Sequence, residues 1–268
     1  MSGLDSVFAD SVPKLYDTYL VPLIFEQYAR DIAHRITPLA PRSVLEIAAG
    51  TGVVTRAIAP LLGGSRIVAT DLNQGMIDRA ASTIDSPNVE WRQADALDLP
   101  FDDASFDAVI CQFAAMFFPD KVKGFSEARR VLRNGGVFIF SVWDRIEENE
   151  FADIVTQSLA EMFPADPPRF LARTPHGYLD PDQIVGDAKA GGFESPHLET
   201  IPERSRADSP RIPAIAYCEG TPLRNEIIAR DAARLDEATD VAADALRRAF
   251  GAGTVDGKIQ AHVIMAVA

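Results

Sequence analysis

Cysteine is scarce: Cys111 and Cys218 are the only two in 268 residues. Two thiols so far apart supply neither a disulfide framework nor a clustered zinc site, and both are expected as reduced, buried side chains. Long apolar runs are missing too. No stretch approaches the roughly 18 residues of a membrane-spanning helix, and the N-terminus shows no cationic, apolar leader pattern, so the expected location is cytoplasmic. Positive charge is in short supply: 26 Lys and Arg against 39 Asp and Glu leave a formal net charge of -13. That balance opposes binding to a phosphate backbone, and the densest basic group, Arg129, Arg130 and Arg133, falls on an expected helix. Neither a nucleic-acid partner nor a metal is expected. Repeats and low-complexity tracts are absent. The composition, 47% hydrophobic and 24% charged, suits one large globular domain over residues 1–268 with room for inserted segments.

The rest of the chain is organised around residues 44–55, VLEIAAGTGVVT, and an answering segment at 67–71, IVATD. Val44, Leu45 and Ile47 form an apolar run that leads into Gly50-Thr51-Gly52 and then an apolar-periodic stretch over 53–62, which reads as strand, tight turn, helix. Glycines let backbone approach a ligand where a Cβ would collide, and the helix start presents unpaired N–H groups. Asp71 ends the second apolar run, nineteen positions after Gly52, where a carboxylate can accept both hydroxyl protons of a ribose. A nucleotide-like ligand fits this plan.

Dinucleotides and S-adenosylmethionine (SAM) both meet that description. The dinucleotide fingerprint asks for Gly or Ala where Thr55 stands. Glu46, ahead of the glycines, would repel a pyrophosphate but attract the sulfonium and ammonium of SAM. Here the sequence resembles the class I SAM-dependent methyltransferases, in particular the ubiquinone/menaquinone-biosynthesis-like branch, whose first motif is acid-x-Gly-x-Gly-x-Gly. Glu46, Gly50 and Gly52 match it, and Ala48 replaces its first glycine. Residues 99–109 are similar to the LPF-x-x-x-x-FD-x-V segment of the same branch, and Leu-Arg-x-Gly-Gly at 132–136 is again family-like. The resemblance is specific over about 44–143.

It implies an α/β fold: a doubly wound, seven-stranded, mostly parallel Rossmann-like sheet with an antiparallel last strand and a helical cap insertion. Strands are expected at 44–47, 66–70, 89–93, 106–111, 137–143, 196–205 and 260–267. Helices are expected at 53–62, 73–84, 122–133, near 151–163, at 180–190 and over 223–250, with Asn134-Gly135-Gly136 as a helix stop. Aromatic residues from Phe8 to Ile36 predict helices forming an N-terminal lid over 1–40, and residues 145–180 and 208–256 read as substrate-side insertions.

The resemblance also assigns a SAM site. Glu46, Ala48, Gly50 and Gly52 form the turn and Asp71 binds the ribose. Leu72 and Met76 flank the adenine, while Asp95 and Ala96 meet its amine and ring. Gln112 and Phe113 stand at the methyl-transfer end of the fourth strand, and Tyr19 reaches over from the lid. Methyl transfer is an in-line displacement that needs alignment and water exclusion more than a nucleophile. Where a phenol or carbon acid must lose a proton, His176, in the cap-side loop, is the candidate base. The expected partner is a small methyl acceptor, aromatic or quinone-like given the Phe-rich cap. A SAM- or nucleotide-binding module without turnover, and a protein or RNA methyltransferase, are the alternatives; the latter is opposed for nucleic-acid bases by Gln112-Phe113-Ala114-Ala115 in place of Asn-Pro-Pro-aromatic.

Overall fold

The computed structural model describes residues 12–268; the start of the helical segment expected from Phe8 lies outside them. Backbone packing divides the chain into two compact units. A sheet unit comprises Glu26–Val142, Leu179–Ile201 and Ala261–Ala268, and a helical unit comprises the described chain up to Phe25, Trp143–Tyr178 and Pro202–Gln260. The segments expected as insertions, 145–180 and 208–256, fall almost wholly in the helical unit. The segment expected as a single lid over 1–40 is divided at Phe25.

Seven strands form one sheet: β1 Ser43–Glu46, β2 Arg66–Asp71, β3 Val89–Gln93, β4 Phe106–Gln112, β5 Leu132–Trp143, β6 His197–Ala207 and β7 Val255–Val267, in the order β3-β2-β1-β4-β5-β7-β6. The first five pair in parallel. Their central members are apolar on both faces because helices cover both: Val44, Leu45, Val109 and Ile110 are fully buried. β7 runs antiparallel to β5, since Gly135 pairs with Ala268 at one end and Asp144 with Gln260 at the other. Strand order reverses at β1 and β4, the switch point of a doubly wound sheet, beside which ligands bind at the carboxyl ends of strands.

In the sheet unit, helix α1 Glu26–Ile36 buries Tyr28, Ile32 and Ile36 at helical spacing and packs on α2 Val53–Ile58. α3 Gln74–Thr83 starts at Asn73, whose side chain accepts from the Met76 N–H, and α4 Lys121–Val131 starts at Asp120 in the same way. α4 packs against α6 Pro181–Ala190. In the helical unit, α5 Glu150–Met162, α7 Arg211–Cys218, α8 Leu223–Arg230 and α9 Leu235–Phe250 join a wide-turned helical segment, Tyr16–Phe25, that contains Pro22.

Several boundaries differ from expectation. β5 begins at Leu132, so Asn134-Gly135-Gly136 lies within a strand instead of stopping a helix. The sheet claims it because the Gly135 N–H and Gly136 carbonyl both pair with Ala268. β7 starts at Val255, five residues early, with Val255, Gly257 and Ile259 alternately buried. The helix expected over 223–250 breaks at Asp231, whose side chain accepts the Ala233 N–H and starts a new helical run. Residues 211–218 form a helix of their own.

Candidate SAM site

β1 delivers a buried carboxylate to the start of the turn. Glu46 is 2% exposed, and its Oε2 accepts the Thr55 hydroxyl from the first turn of α2. Burial, reinforced by the nearby charge of Asp71 and opposed by the Thr55 hydrogen bond, pushes its pKa up to about 8. Thr55, which spoils the dinucleotide fingerprint, is thus the group that holds the motif acid. The Thr70 hydroxyl donates to the Glu46 carbonyl at 2.9 Å, tying β2 to the same point.

The turn is left-handed at Ala48 (φ 54°), Gly50 (φ 58°) and Gly52 (φ 81°). Ala48 therefore carries the strain that a glycine avoids at the family's first glycine position. The two glycines do different work. A Cβ on Gly50 would stand in open space, with nothing within 4 Å, whereas one on Gly52 would meet Ile84 Cδ1 at 2.7 Å and Trp91 Cη2 at 2.8 Å. Gly50 leaves room for a ligand; Gly52 serves close packing. Between them Thr51 is 1% exposed, and its hydroxyl pairs with no group among the described residues. The sequence reading passed over Thr51, although a hydroxyl between two glycines is visible there.

Asp71, at the carboxyl end of β2, accepts the Gly50 N–H at 2.9 Å through Oδ2 and the Asn73 N–H at 2.8 Å through Oδ1. Burial raises its pKa while those N–H groups oppose the rise. Leu72 beside it is 60% exposed, an apolar side chain held in the open, whereas Met76 is buried. The Gln93 side chain donates to the Leu72 carbonyl at 2.8 Å. Asp95 is exposed after β3, its Oδ1 accepting the Leu97 N–H at 2.9 Å, and Ala96 is partly buried. At the end of β4 Gln112 is partly buried, and Phe113 adopts φ 51°, rare for a bulky residue. Phe113 is pinned by its N–H to the Ser141 carbonyl at 3.0 Å and by an edge-on contact with Tyr28, ring centroids 5.1 Å apart. Glu46, Ala48, Gly50, Gly52 and Asp71 are thus brought together around one turn.

Two expected residues lie in the other unit. Tyr19 is partly buried on the Tyr16–Phe25 segment. His176 is 5% exposed, and its Nδ1 lies 2.8 Å from the Asp144 carbonyl. A carbonyl only accepts, so Nδ1 carries the proton and Nε2 keeps its lone pair. Burial lowers the pKa of His176 to about 4, against the Asp144 hydrogen bond that raises it. Its ring ends an aromatic series within the helical unit: Tyr16 on Phe25 at 5.2 Å, Phe25 on Trp143 at 6.1 Å, Trp143 on His176 at 5.9 Å.

Residues 45–140 match the family model described as a methyltransferase domain. Among curated proteins, the chain is 32% identical over 198 residues to a demethylmenaquinone methyltransferase of Corynebacterium urealyticum, covering 69% of this chain and 84% of that protein. The chain belongs to the class I SAM-dependent methyltransferases, in the ubiquinone/menaquinone-biosynthesis-like branch. A demethylmenaquinone methyltransferase of Clavibacter sepedonicus is 37% identical over 138 residues, covering 50% of this chain and 56% of that relative's length. Among solved structures, the Haemonchus contortus phosphoethanolamine N-methyltransferase 2 in complex with SAM superposes with TM-score 0.61 at 20% identity, over 98% of this chain and 58% of that one, a likeness of fold. SAM is the methyltransferase's cofactor, and the turn fits it: open space at Gly50, an unpaired buried hydroxyl at Thr51 and a buried acid at Glu46 are features a polar, cationic ligand would use.

Proposed function

We propose that this methyltransferase acts on a small molecule, aromatic or quinone-like, and that the turn at residues 46–52 with Asp71 holds SAM. The observation that carries the SAM assignment is the open, left-handed Gly50, whose N–H is tied to Asp71. SAM, when bound, supplies a methyl group activated by a sulfonium. Around it, Glu46 attracts the cationic end, the Thr51 hydroxyl gains a partner, Asp71 accepts from the ribose, and Leu72 with Met76 flanks the adenine. Asp95 and Ala96 serve its polar edge. Gln112 and Phe113 line the reacting end, where an aromatic face favours a cation by about 0.5–2 kcal/mol.

The acceptor class is supported by the names of the curated relatives and by the aromatic series from Tyr16 to His176. A planar ring gains contact area against such side chains. His176, neutral and with its lone pair at Nε2, is the helical unit's candidate base for a phenol or carbon acid. Its low pKa makes it a weak base, suited to an acceptor whose acidity grows during transfer. Incubating the protein with methyl-labelled SAM and a panel of quinols, phenols, amines and small carboxylic acids tests the reading. Label transfer to a quinol or phenol supports it; transfer confined to amines or carboxylic acids contradicts it.

A further inference from the structure

Between β3 and β4, residues 94–105 of the sheet unit belong to no helix and no named strand. The stretch starts at the tip of β2, where the Ala94 N–H donates to the Asp71 carbonyl at 3.0 Å, and then carries Asp95 and Ala96. Backbone groups outside regular structure still need partners. Two bonds close a turn on Asp95: its Oδ1 accepts the Leu97 N–H at 2.9 Å, and its carbonyl accepts the Asp98 N–H at 3.1 Å. The next residue, Leu99, is 3% exposed, and it is tied to two side chains of α4. Glu127 Oε2 accepts the Leu99 N–H at 2.9 Å, while Arg130 Nη2 donates to the Leu99 carbonyl at 2.9 Å. Arg130 Nη1 donates to the Phe101 carbonyl at 2.7 Å.

The two side chains act as one group. Arg130 donates to Glu127 from Nε at 3.0 Å and from Nη2 at 2.7 Å, a two-point pairing that fixes the planes of both. Glu127 is 5% exposed, and the Arg130 hydrogen bond is the chief cause that lowers its pKa to about 2. Arg130, part of the densest basic group in the sequence, thus serves the fold. The turn on Asp95 is held at both ends, by Asp71 through Ala94 and by this pair through Leu99. We propose that Glu127 and Arg130 are positioning residues for adenine recognition: paired on α4, they fix the Leu99 backbone and so set Asp95 to accept the adenine amine. The role of Asp95 rests on the SAM reading above; the hold on Leu99 does not.

The test uses the full chain with Glu127→Gln, Arg130→Lys, Asp95→Ala and Phe125→Leu. Lysine keeps the charge of Arg130 but loses its fork. Phe125 is a buried core residue of the same helix, and its substitution controls for lost stability. Hydrogen exchange reads the hold: Glu127→Gln and Arg130→Lys should speed amide exchange over residues 95–101 by about tenfold. Calorimetry compares S-adenosylhomocysteine with its analogue carrying hydrogen in place of the adenine amine. Wild type should prefer the amine by about tenfold. The preference should vanish in Asp95→Ala, fall toward equality in Glu127→Gln and Arg130→Lys, and persist in Phe125→Leu. A merely structural role would lower the melting temperature and both affinities together and leave their ratio intact. That outcome, an unchanged exchange rate over 95–101, or loss of the preference in Phe125→Leu overturns the proposal while Asp95→Ala still reports on the adenine contact. Equal affinity of wild type for the two ligands contradicts the adenine role of Asp95, binding of neither contradicts the SAM site, and each removes the proposal with it.

Discussion

The Gly50 backbone N–H donates to Asp71 Oδ2 at 2.9 Å. One hydrogen bond therefore couples the turn after β1 to the acid at the tip of β2, so the two halves of the proposed SAM site form as one piece. Asp71→Asn tests the coupling. Both carboxylate oxygens of Asp71 accept backbone N–H groups, and an amide must turn its NH2 toward one of them. The expected outcome is a stability loss of about 1–3 kcal/mol, from one buried N–H left unpaired, and a SAM affinity reduced at least tenfold. Urea unfolding and calorimetry read the two effects separately.

The left-handed positions separate strain from ligand space. Ala48→Gly, at φ 54°, is expected to relieve about 1 kcal/mol of strain, offset in part by the greater freedom of glycine in the unfolded chain. SAM binding should persist. Gly50→Val, at φ 58° with open space at the Cβ, should cost about 1–2 kcal/mol of stability yet abolish SAM binding. Retained binding in Gly50→Val would mean that the open space is not the ligand's.

In the proposed site, Glu46 makes SAM binding depend on pH. Its pKa is raised to about 8 from 4.5, so it is largely protonated at neutral pH in the free protein. Its contribution to stability is full below pH 4.5 and is lost as pH rises through 8, because the unfolded chain ionises first. A cationic ligand favours the ionised form, so SAM affinity should rise between pH 7 and 9, with proton release visible as a buffer-dependent binding heat. Glu46→Gln should flatten that dependence.

His176 acts on stability in the opposite direction. Its pKa is lowered to about 4 from 6.5 by burial, so the fold holds it neutral while the unfolded chain takes up a proton first. Its contribution is full above pH 6.5 and is lost as pH falls through 4, up to about 3 kcal/mol. In urea melts the gap between wild type and His176→Gln should narrow steadily from pH 7 to pH 4.5. A constant gap would show that His176 does not titrate in this way.

The sheet unit was largely legible because its signals are local: apolar runs mark the strands, and the spacing from Gly52 to Asp71 marks the switch point. What escaped depends on distant partners. Gly50 and Gly52 look alike in sequence, and only Ile84 and Trp91 separate a packing glycine from an open one. Thr55 reads as a misfit until its hydroxyl is seen on Glu46. The stretch Asn134-Gly135-Gly136 has the composition of a helix stop, yet Ala268 recruits it into the sheet. In the helical unit the sequence carries composition but little spacing. The helix at Arg211–Cys218 and the break at Asp231 were accordingly not foreseen.

Calorimetric titration of the protein with SAM, S-adenosylhomocysteine and NADH, repeated on Asp71→Ala and Gly50→Val, tests the central claim most directly. Micromolar binding of both adenosyl ligands by wild type, lost in both variants and with no heat from NADH, is the predicted result. Binding of NADH without SAM, or SAM affinity unchanged in both variants, would contradict the site built on Gly50 and Asp71.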